Sequence, residues 1–500
     1  MWTFFIACLI LFILYVKWKH SFWKNKGLLS PKPVFFFGNT SKLVKQKLTY
    51  GEHVQVIYNY LKNKNQIHGG EYFLLTPIYI PVDPKIIKNI LLGDFTSFMD
   101  RGLYYHEDDP LSCNLFFLEG VKSKKLRAKM TPTFTSGKMK MMFETLLECS
   151  KQLQMELEKN CNQAIEVKDV LERFTTDIIG SVAFGIECNS LKNPNCEFIN
   201  YGLKFFTRSA WGNIIAMFSF CIPEVLRFLK IRAINKETSD FYMRVVKDTV
   251  DYREANNIKR RDFMHLLIQL KNTGKLEDEN LNTEDKISFE ELAAQAFIFF
   301  IAGFETSSAT MTFALYELAL NQDIQNRVRE EVIEVLNKND KKLTYDAVMN
   351  LSYMDQVINE TIRLHPPITT LNRICTKDYK VPGTDFVLEK GTKVNIPVMG
   401  LHMDEEYFPD PTRFDPGRFS EKNVKNITPF TFLPFGEGPR NCIGERFGKM
   451  QTKVGLAGII QNYKLTLSSK TSIPLVMDPK HFVPTTKGGM WLEFKKINDL

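Results

Sequence analysis

Residues 435–444 read Phe-Gly-Glu-Gly-Pro-Arg-Asn-Cys-Ile-Gly, and the state of their one cysteine governs the reading of the whole chain. Cysteine binds a metal ion only as thiolate, which survives near backbone N–H donors, cations and a helix N-terminus. Gly436, Gly438 and Gly444 permit a turn that aims N–H groups at the sulfur of Cys442, because glycine accepts positive φ and close approach. The apolar run from Gly448 to Ile460 predicts a helix starting just after Cys442, with its dipole favouring the thiolate. Phe435 would shield the sulfur from water, and Arg440 offers a fork suited to a carboxylate. The bland alternative is a buried cysteine in a glycine loop. Against it stand six fixed residue types, each occurring at on the order of one in ten to one in twenty.

The chain has 500 residues, 44% hydrophobic and 24% charged, enough to bury a large core. Its 40 phenylalanines suit an apolar pocket, although plain core packing accounts for most of them. Nine cysteines are scattered without paired spacing, which fits reduced thiols in a cytosol-facing domain. The net charge of +8 comes without basic runs interleaved with aromatics. Nucleic acid is therefore not expected as a partner; an acidic protein or an anionic membrane surface is.

Trp2 to Val16 is almost continuously apolar and is followed by Lys17, Trp18, Lys19, His20, Trp23, Lys24 and Lys26. Fifteen residues fall short of the roughly 20 needed to cross a bilayer core, but Trp18 and snorkelling lysines extend the usable length. A cleaved signal peptide would carry its positive charge before the apolar run and end in small residues. Here the cations follow it, so the positive-inside rule places the remainder in the cytosol. Residues 1–22 are expected to be a transmembrane signal anchor, 23–33 a basic linker stiffened by Pro31 and Pro33, and 34–500 one large domain.

Within that domain, Tyr72 to Val82 predicts a hairpin and Val121 to Met130 a basic helix bearing Lys122, Lys124, Lys125, Arg127 and Lys129. Ile287 to Asn321 predicts a long helix opened by a capping-box-like Ser288-Phe289-Glu290-Glu291. Ala302-Gly303-Phe304-Glu305-Thr306-Ser307 in its middle contradicts local propensity, and such conflicts tend to mark functional sites. Ile298, Ala302 and Thr306 share a face, where small residues could admit a flat cofactor and a hydroxyl could hold water or oxygen. Leu351 to Leu364 predicts a further helix in which Glu360 and Arg363 can pair, ended by His365-Pro366-Pro367. Arg373 follows in a strand-like stretch, and a proline-ruled meander through Arg418 leads to the cysteine loop.

This order of anchor, proline hinge, Ala-Gly-x-Glu-Thr helix, Glu-x-x-Arg helix, Pro-x-Arg-Phe meander and cysteine loop resembles a microsomal cytochrome P450 over essentially the full length. Thr131 to Met139 and Asp262 to Leu267 look like the insect detoxification families of that superfamily. The resemblance implies the cytochrome P450 fold, mainly α with small β-sheets, and haem b held by Cys442. It implies an oxygen-activation and proton-delivery pair in Thr306 and Glu305, with Ala302 and Gly303 leaving room for dioxygen. Glu360, Arg363 and Arg418 look like a buried structural triad. Arg127, Arg373 and Arg440 look like partners of the haem propionates, and Phe435 like the sulfur's cover. Ile298, Ile301, Phe205, Thr369, Thr370 and Val483 are expected by family position to line the substrate pocket. One departure is Ser123, which stands where the family usually has a tryptophan four residues before the arginine of the basic helix; a serine cannot supply the indole N–H, and weaker haem retention is expected.

The activity so implied is a monooxygenase that inserts one atom of O2 into lipophilic small molecules, either xenobiotics such as plant toxins and insecticides or endogenous lipids and hormones. Electrons would come from NADPH through NADPH–cytochrome P450 reductase, with cytochrome b5 as a further donor, at the endoplasmic reticulum membrane. Two rival readings are a haem-thiolate isomerase or dehydratase, which can dispense with the acid-alcohol pair present here, and a non-catalytic haem-bound lipophile carrier, suggested only by Ser123.

Overall fold

The computed structural model describes residues 1–161, 163–206, 210–277 and 285–497. Its centre is the core helix, Phe289–Leu320, which starts where Ser288 accepts from the Glu291 N–H while the Glu291 side chain accepts from Ser288 N–H. Both halves of the predicted capping box are thus formed, satisfying donors that a helix start leaves free. This helix is apolar enough to cross a membrane, yet most of it is buried within the protein, so its hydrophobicity serves the core.

Four helices define its surroundings: a flanking helix, Val167–Ile179; a basic helix, Gly120–Met130; a Glu-Arg helix, Ser352–Leu364; and a cysteine helix, Glu445–Ile460. The main core cluster joins the core, flanking and cysteine helices through Phe174, Ile178, Phe297, Phe304, Met311 and Val454, all essentially inaccessible. Ring-on-ring contacts extend it: Phe300 stacks on Phe304 at 5.4 Å and Phe263 on Phe299 at 4.5 Å. Much of the phenylalanine content is therefore packing.

Strands are few and lie to one side. The larger sheet has the order β1 (His68–Phe73), β2 (Thr76–Pro81), β7 (Lys393–Ile396) and β4 (Leu371–Ile374), with β1 and β2 antiparallel from His68↔Pro81 to Phe73↔Thr76. The hairpin thus begins four residues before the expected Tyr72. His68-Gly69-Gly70 carries no strand signature, and these glycines are in the strand because the Leu61 side chain and the Trp23 ring lie where their Cβ atoms would be. A second sheet runs β3 (Ala164–Glu166), β9 (Trp491–Lys496), β8 (Tyr463–Leu467), and β5 (Tyr379–Lys380) pairs with β6 (Val387–Leu388).

The N-terminal helix spans Trp2–His20, 19 residues or about 28 Å at 1.5 Å per residue. It is exposed over most of its length, with Lys17, Lys19 and His20 in its last turn. It does not end in a free linker. His20 Nε2 meets the Leu74 carbonyl at 3.0 Å, Trp23 Nε1 donates to Glu71 O at 2.9 Å, and Trp23 and Leu28 are buried in the sheet-side core. Part of the stretch 23–33, read from sequence as linker, is therefore packed structure: the lysines and prolines around Trp23 suit a linker, and only the fold shows the ring plugged into the sheet.

The prediction concerns truncation. Removing residues 1–22 should leave the remaining fold cooperative, whereas Trp23→Ala should cost about 3–5 kcal/mol in denaturant-unfolding midpoints, the usual range for emptying a buried tryptophan site.

Candidate functional site

Gly436 and Gly438 hold φ of +69° and +74°, and a Cβ at Gly438 would stand 2.0 Å from the Leu91 carbonyl oxygen. No residue with a side chain fits there. The Cys442 N–H donates to Phe435 O at 2.7 Å and closes the loop, and the cysteine helix begins three residues later at Glu445. Burial pushes the Cys442 thiol upward, and the Gly444 N–H opposes this; Glu445 adds to the rise, while the charges of Arg101 and Arg127 pull it down. Cys442 nevertheless keeps exposed surface in a densely surrounded position, which means that this surface opens on an internal space.

Four arginines converge beside it. Arg440 donates from Nε to Met99 O (3.0 Å), from Nη1 to Leu115 O (3.1 Å) and from Nη2 to Leu118 O (2.8 Å). The fork expected to grip a carboxylate is therefore partly committed to clamping the preceding loop, leaving one N–H on each Nη. Arg127 Nη2 donates to Asn441 Oδ1 at 2.7 Å. Arg373, 3% exposed, donates to its neighbour's carbonyl while its Nε has no partner. Burial first, then the charges of Arg440 and Arg127, hold the Arg373 guanidinium down to about 10. The fourth, Arg101, was not singled out from sequence; burial pulls it well below the usual range, followed by the charges of Arg373, Arg440 and Arg127. It lies in irregular chain between Asp100 and Gly102, where no motif marks it. Among the described residues none of the four makes an ion pair.

Across this space runs the core helix. Ala302 is exposed, and Gly303 and Thr306 half-exposed, although Phe300, Phe304 and Glu305 around them are buried. Four successive carbonyls here carry an added side-chain donor: Thr306 Oγ1 to Ala302 O at 2.5 Å, Gln451 Nε2 to Gly303 O at 3.2 Å, Thr175 Oγ1 to Phe304 O at 3.1 Å, and Ser308 Oγ to Glu305 O at 3.1 Å. Such bonds compete with the helix ladder and loosen it locally. The Gln451 bond also ties the cysteine helix to this stretch, beside the open surface of Ala302. Glu305 and Thr306, expected as a pair, are not joined by a hydrogen bond: adjacent helix positions point about 100° apart. Thr306 faces the open region, and Glu305 turns to the flanking helix, where Lys168 Nζ donates to its Oε1 at 2.9 Å.

Behind the loop, Arg363 uses all five of its N–H groups: Nε to Glu360 Oε2 (2.7 Å), Nη2 to Glu360 Oε1 (2.8 Å) and to Arg413 O (3.4 Å), and Nη1 to His402 O (2.8 Å) and Pro411 O (2.9 Å). Arg418 Nε adds to Glu360 Oε1 at 3.3 Å. Glu360 and Arg363 are wholly inaccessible. His402 extends the network: the Leu433 N–H donates to its Nε2 at 3.0 Å, which leaves Nδ1 to donate to Arg363 O at 3.3 Å. Burial, then the Arg363 charge, holds this ring neutral, down to about 3.

The family model described as Cytochrome P450 matches residues 29–492. The chain belongs to the cytochrome P450 family. It is 43% identical over 490 residues to cytochrome P450 6A1 of Musca domestica, covering 97% of this chain and 95% of that protein. It is 42% identical over 497 residues to cytochrome P450 6k1 of Blattella germanica (97% and 94%) and 42% over 484 residues to cytochrome P450 6a2 of Drosophila melanogaster (95% and 96%). This P450 is thus a haem-thiolate monooxygenase of the insect family 6 type, mainly helical with small sheets.

The haem that the family implies fits the residues present. Four guanidinium groups without carboxylate partners, one with an orphaned buried Nε, match a ligand bringing two carboxylates, and Cys442 would offer such a ligand's metal a soft donor. Ser123 is 2% exposed with its Oγ unpartnered among the described groups. Of the pocket candidates, Ile298 and Phe205 are half-buried and Ile301 buried at the core helix, with Phe205 packed edge-on against Phe297 at 5.7 Å. Thr369, Thr370 and Val483 are buried, and Thr369 Cγ2 lies where a Cβ at Gly51 would go.

Two outcomes are expected. Arg373→Met should raise the unfolding free energy of the haem-free protein by about 1–3 kcal/mol by removing an uncompensated buried charge, yet speed haem loss measured by transfer to apomyoglobin. Glu360→Gln, which leaves Arg363 and Arg418 without their anion, should cost about 3–5 kcal/mol in equilibrium unfolding.

Proposed function

We propose that this P450 oxidises lipophilic small molecules, xenobiotic or endogenous, with NADPH electrons from NADPH–cytochrome P450 reductase and cytochrome b5 as a further donor. The observation that carries this reading is an accessible cysteine beside four arginines that make no ion pair among the described residues, its helix tied through Gln451 to the accessible Ala302–Thr306 stretch. Haem, when bound, supplies the dioxygen chemistry and the oxygen atom transferred. Cys442 would be its sulfur ligand, and Arg101, Arg127 and Arg373 would hold its propionates with the free N–H groups of Arg440. Phe435, whose ring lies 5.2 Å from Lys449 Nζ, limits water at the sulfur.

Thr306 positions water and dioxygen with a hydroxyl that already bonds back to Ala302 O, and Glu305 supplies protons from the other side of the helix. Ala302 and Gly303 are proposed to leave room for dioxygen, while a Cβ at Gly303 would come within 2.5 Å of Ile179 on the flanking helix, so glycine there also lets the two helices approach closely. Ile298, Ile301, Phe205, Thr369, Thr370 and Val483 are proposed to shape the substrate site. Lys122, Lys124 and Lys125 are exposed on the basic helix and offer a docking face to an acidic reductase. Residues 1–22 anchor the protein in the endoplasmic reticulum membrane with residues 34–500 as the cytosolic catalytic domain, as the exposed apolar helix and its trailing lysines suggest.

With reductase and NADPH in vesicles, Cys442→Ala should lose the Soret position of a thiolate-ligated carbon monoxide complex. Thr306→Ala should keep that spectrum but cut product formed per NADPH consumed by roughly 10-fold or more. Substrate bound but never oxidised would favour a carrier, and turnover of a peroxide without reductase an isomerase.

A further inference from the structure

The flanking helix places Lys168, Glu172, Thr175 and Ile179 along one seam, at helical spacing, against the stretch of the core helix from Gly303 to Glu305. At the upper end of this seam the arrangement is unusual. The single Lys168 ammonium contacts two carboxylates, Glu305 at 2.9 Å and Glu172 at closer range. The side chains are 14%, 3% and 10% exposed for Lys168, Glu305 and Glu172. Glu305 is enclosed while the other two reach the surface.

A structural ion pair needs one acid for one base. Two buried carboxylates on one ammonium leave an uncompensated negative charge, and the low-cost remedy is to bind a proton. Other charged groups nearby do not remove the need. Asp169 and Arg173 pair with each other, and Glu166 is occupied by the Asp169 and Met490 N–H groups. From the C-terminal segment, His481 faces the cluster beside Asp478 and Lys480; burial, then Lys168, keeps its ring below the ordinary range, so it brings no compensating cation at neutral pH. Burial raises the Glu172 carboxyl, Lys168 opposes this and Glu305 adds to it, leaving it pushed up to about 8. Burial pulls the Lys168 ammonium down, and the two carboxylates more than offset that.

We propose that Glu172 and Lys168 form the solvent-facing inlet that reloads Glu305 with protons, Glu172 storing the proton and Lys168 positioning Glu305 and passing the proton inward. This rests on the reading of Glu305 as proton donor to the Thr306 side. In the step, Lys168 gives one N–H proton to the Glu305 carboxylate and regains one from the Glu172 carboxyl. One N–H and one O–H bond break and one of each forms, no electrons move, and solvent reprotonates Glu172. Lys168 and Glu172 touch neither substrate nor cofactor; they are positioning residues that act through Glu305.

The test compares full-length wild type with Glu172→Gln, Lys168→Met and Lys168→Arg, reconstituted with reductase in phosphatidylcholine vesicles and assayed on 7-ethoxycoumarin. Infrared spectra of the resting protein should show a protonated carboxyl band at neutral pH, titrating away as pH rises past about 8 and missing in Glu172→Gln. Product per NADPH should fall roughly 10-fold in Glu172→Gln and Lys168→Met, with a changed solvent deuterium isotope effect and the alkaline decline of coupling abolished in Glu172→Gln. Lys168→Arg, which keeps the cation, should recover part of the coupling. Unfolding midpoints and the carbon monoxide spectrum should stay at wild-type values in Glu172→Gln. The proposal is overturned if the band persists in Glu172→Gln, or if coupling and its pH profile match wild type. The reading of the site itself fails on a different observation, an unaltered Soret spectrum in Cys442→Ala, which neither Glu172 nor Lys168 influences.

Discussion

A fully buried carboxylate bridging two guanidinium groups, Glu360 with Arg363 and Arg418, fixes where the sulfur can be. Desolvating such ions is expensive, and the cost is offset only because every Arg363 N–H finds an acceptor. Two of those acceptors, Pro411 O and Arg413 O, lie on the meander that leads into the cysteine loop, and the Asp415 N–H on the same stretch donates to Glu360 Oε1 at 2.9 Å. The irregular chain is therefore as firmly placed as a helix, with His402 bridging from Arg363 O to the Leu433 backbone just ahead of Phe435. A long loop without regular structure would otherwise be the least ordered part of a domain. Here ionic geometry replaces secondary structure.

The arginine group follows the opposite logic. Arg101, Arg127, Arg373 and Arg440 come together without an ion pair among the described residues; burial depresses all four, and the charges of their neighbours add to this for Arg101, Arg373 and Arg440, although Asp100 and Glu119 oppose it at Arg440. One site thus holds charges already neutralised and another holds charges waiting for a ligand. The core helix gives four consecutive carbonyls an added side-chain donor without losing its helical course from Phe289 to Leu320.

The parts legible in the sequence were those whose chemistry is local. The glycine-framed cysteine, the capping box at Ser288 and the i, i+3 pair Glu360 and Arg363 each lie within a few residues and came out as read. Contacts made only by tertiary packing left no linear trace: Arg101 meets Arg440 across 339 positions, and Lys168 meets Glu305 across 137. Trp23 was counted with the basic linker because its lysine neighbours gave no sign of the sheet that buries it. Glu305 and Thr306 were read as one functional pair, and their adjacency in sequence concealed that a helix turns them to different neighbours.

The N-terminal helix enters the body without slack. Phe12 meets Phe35 at 6.3 Å and Phe36 at 6.1 Å, and the chain then locks through His20 and Trp23 into the first strands. A tether would let the globular part swivel and sample every attitude toward the bilayer; a stem seated this way acts as a keel. If this helix spans a bilayer as proposed, it must lean when the lipid leaflet thickens or thins, and the whole body leans with it. Bilayer composition would then set which flank is presented to molecules dissolved in the lipid, making it a variable of selectivity that no pocket residue encodes.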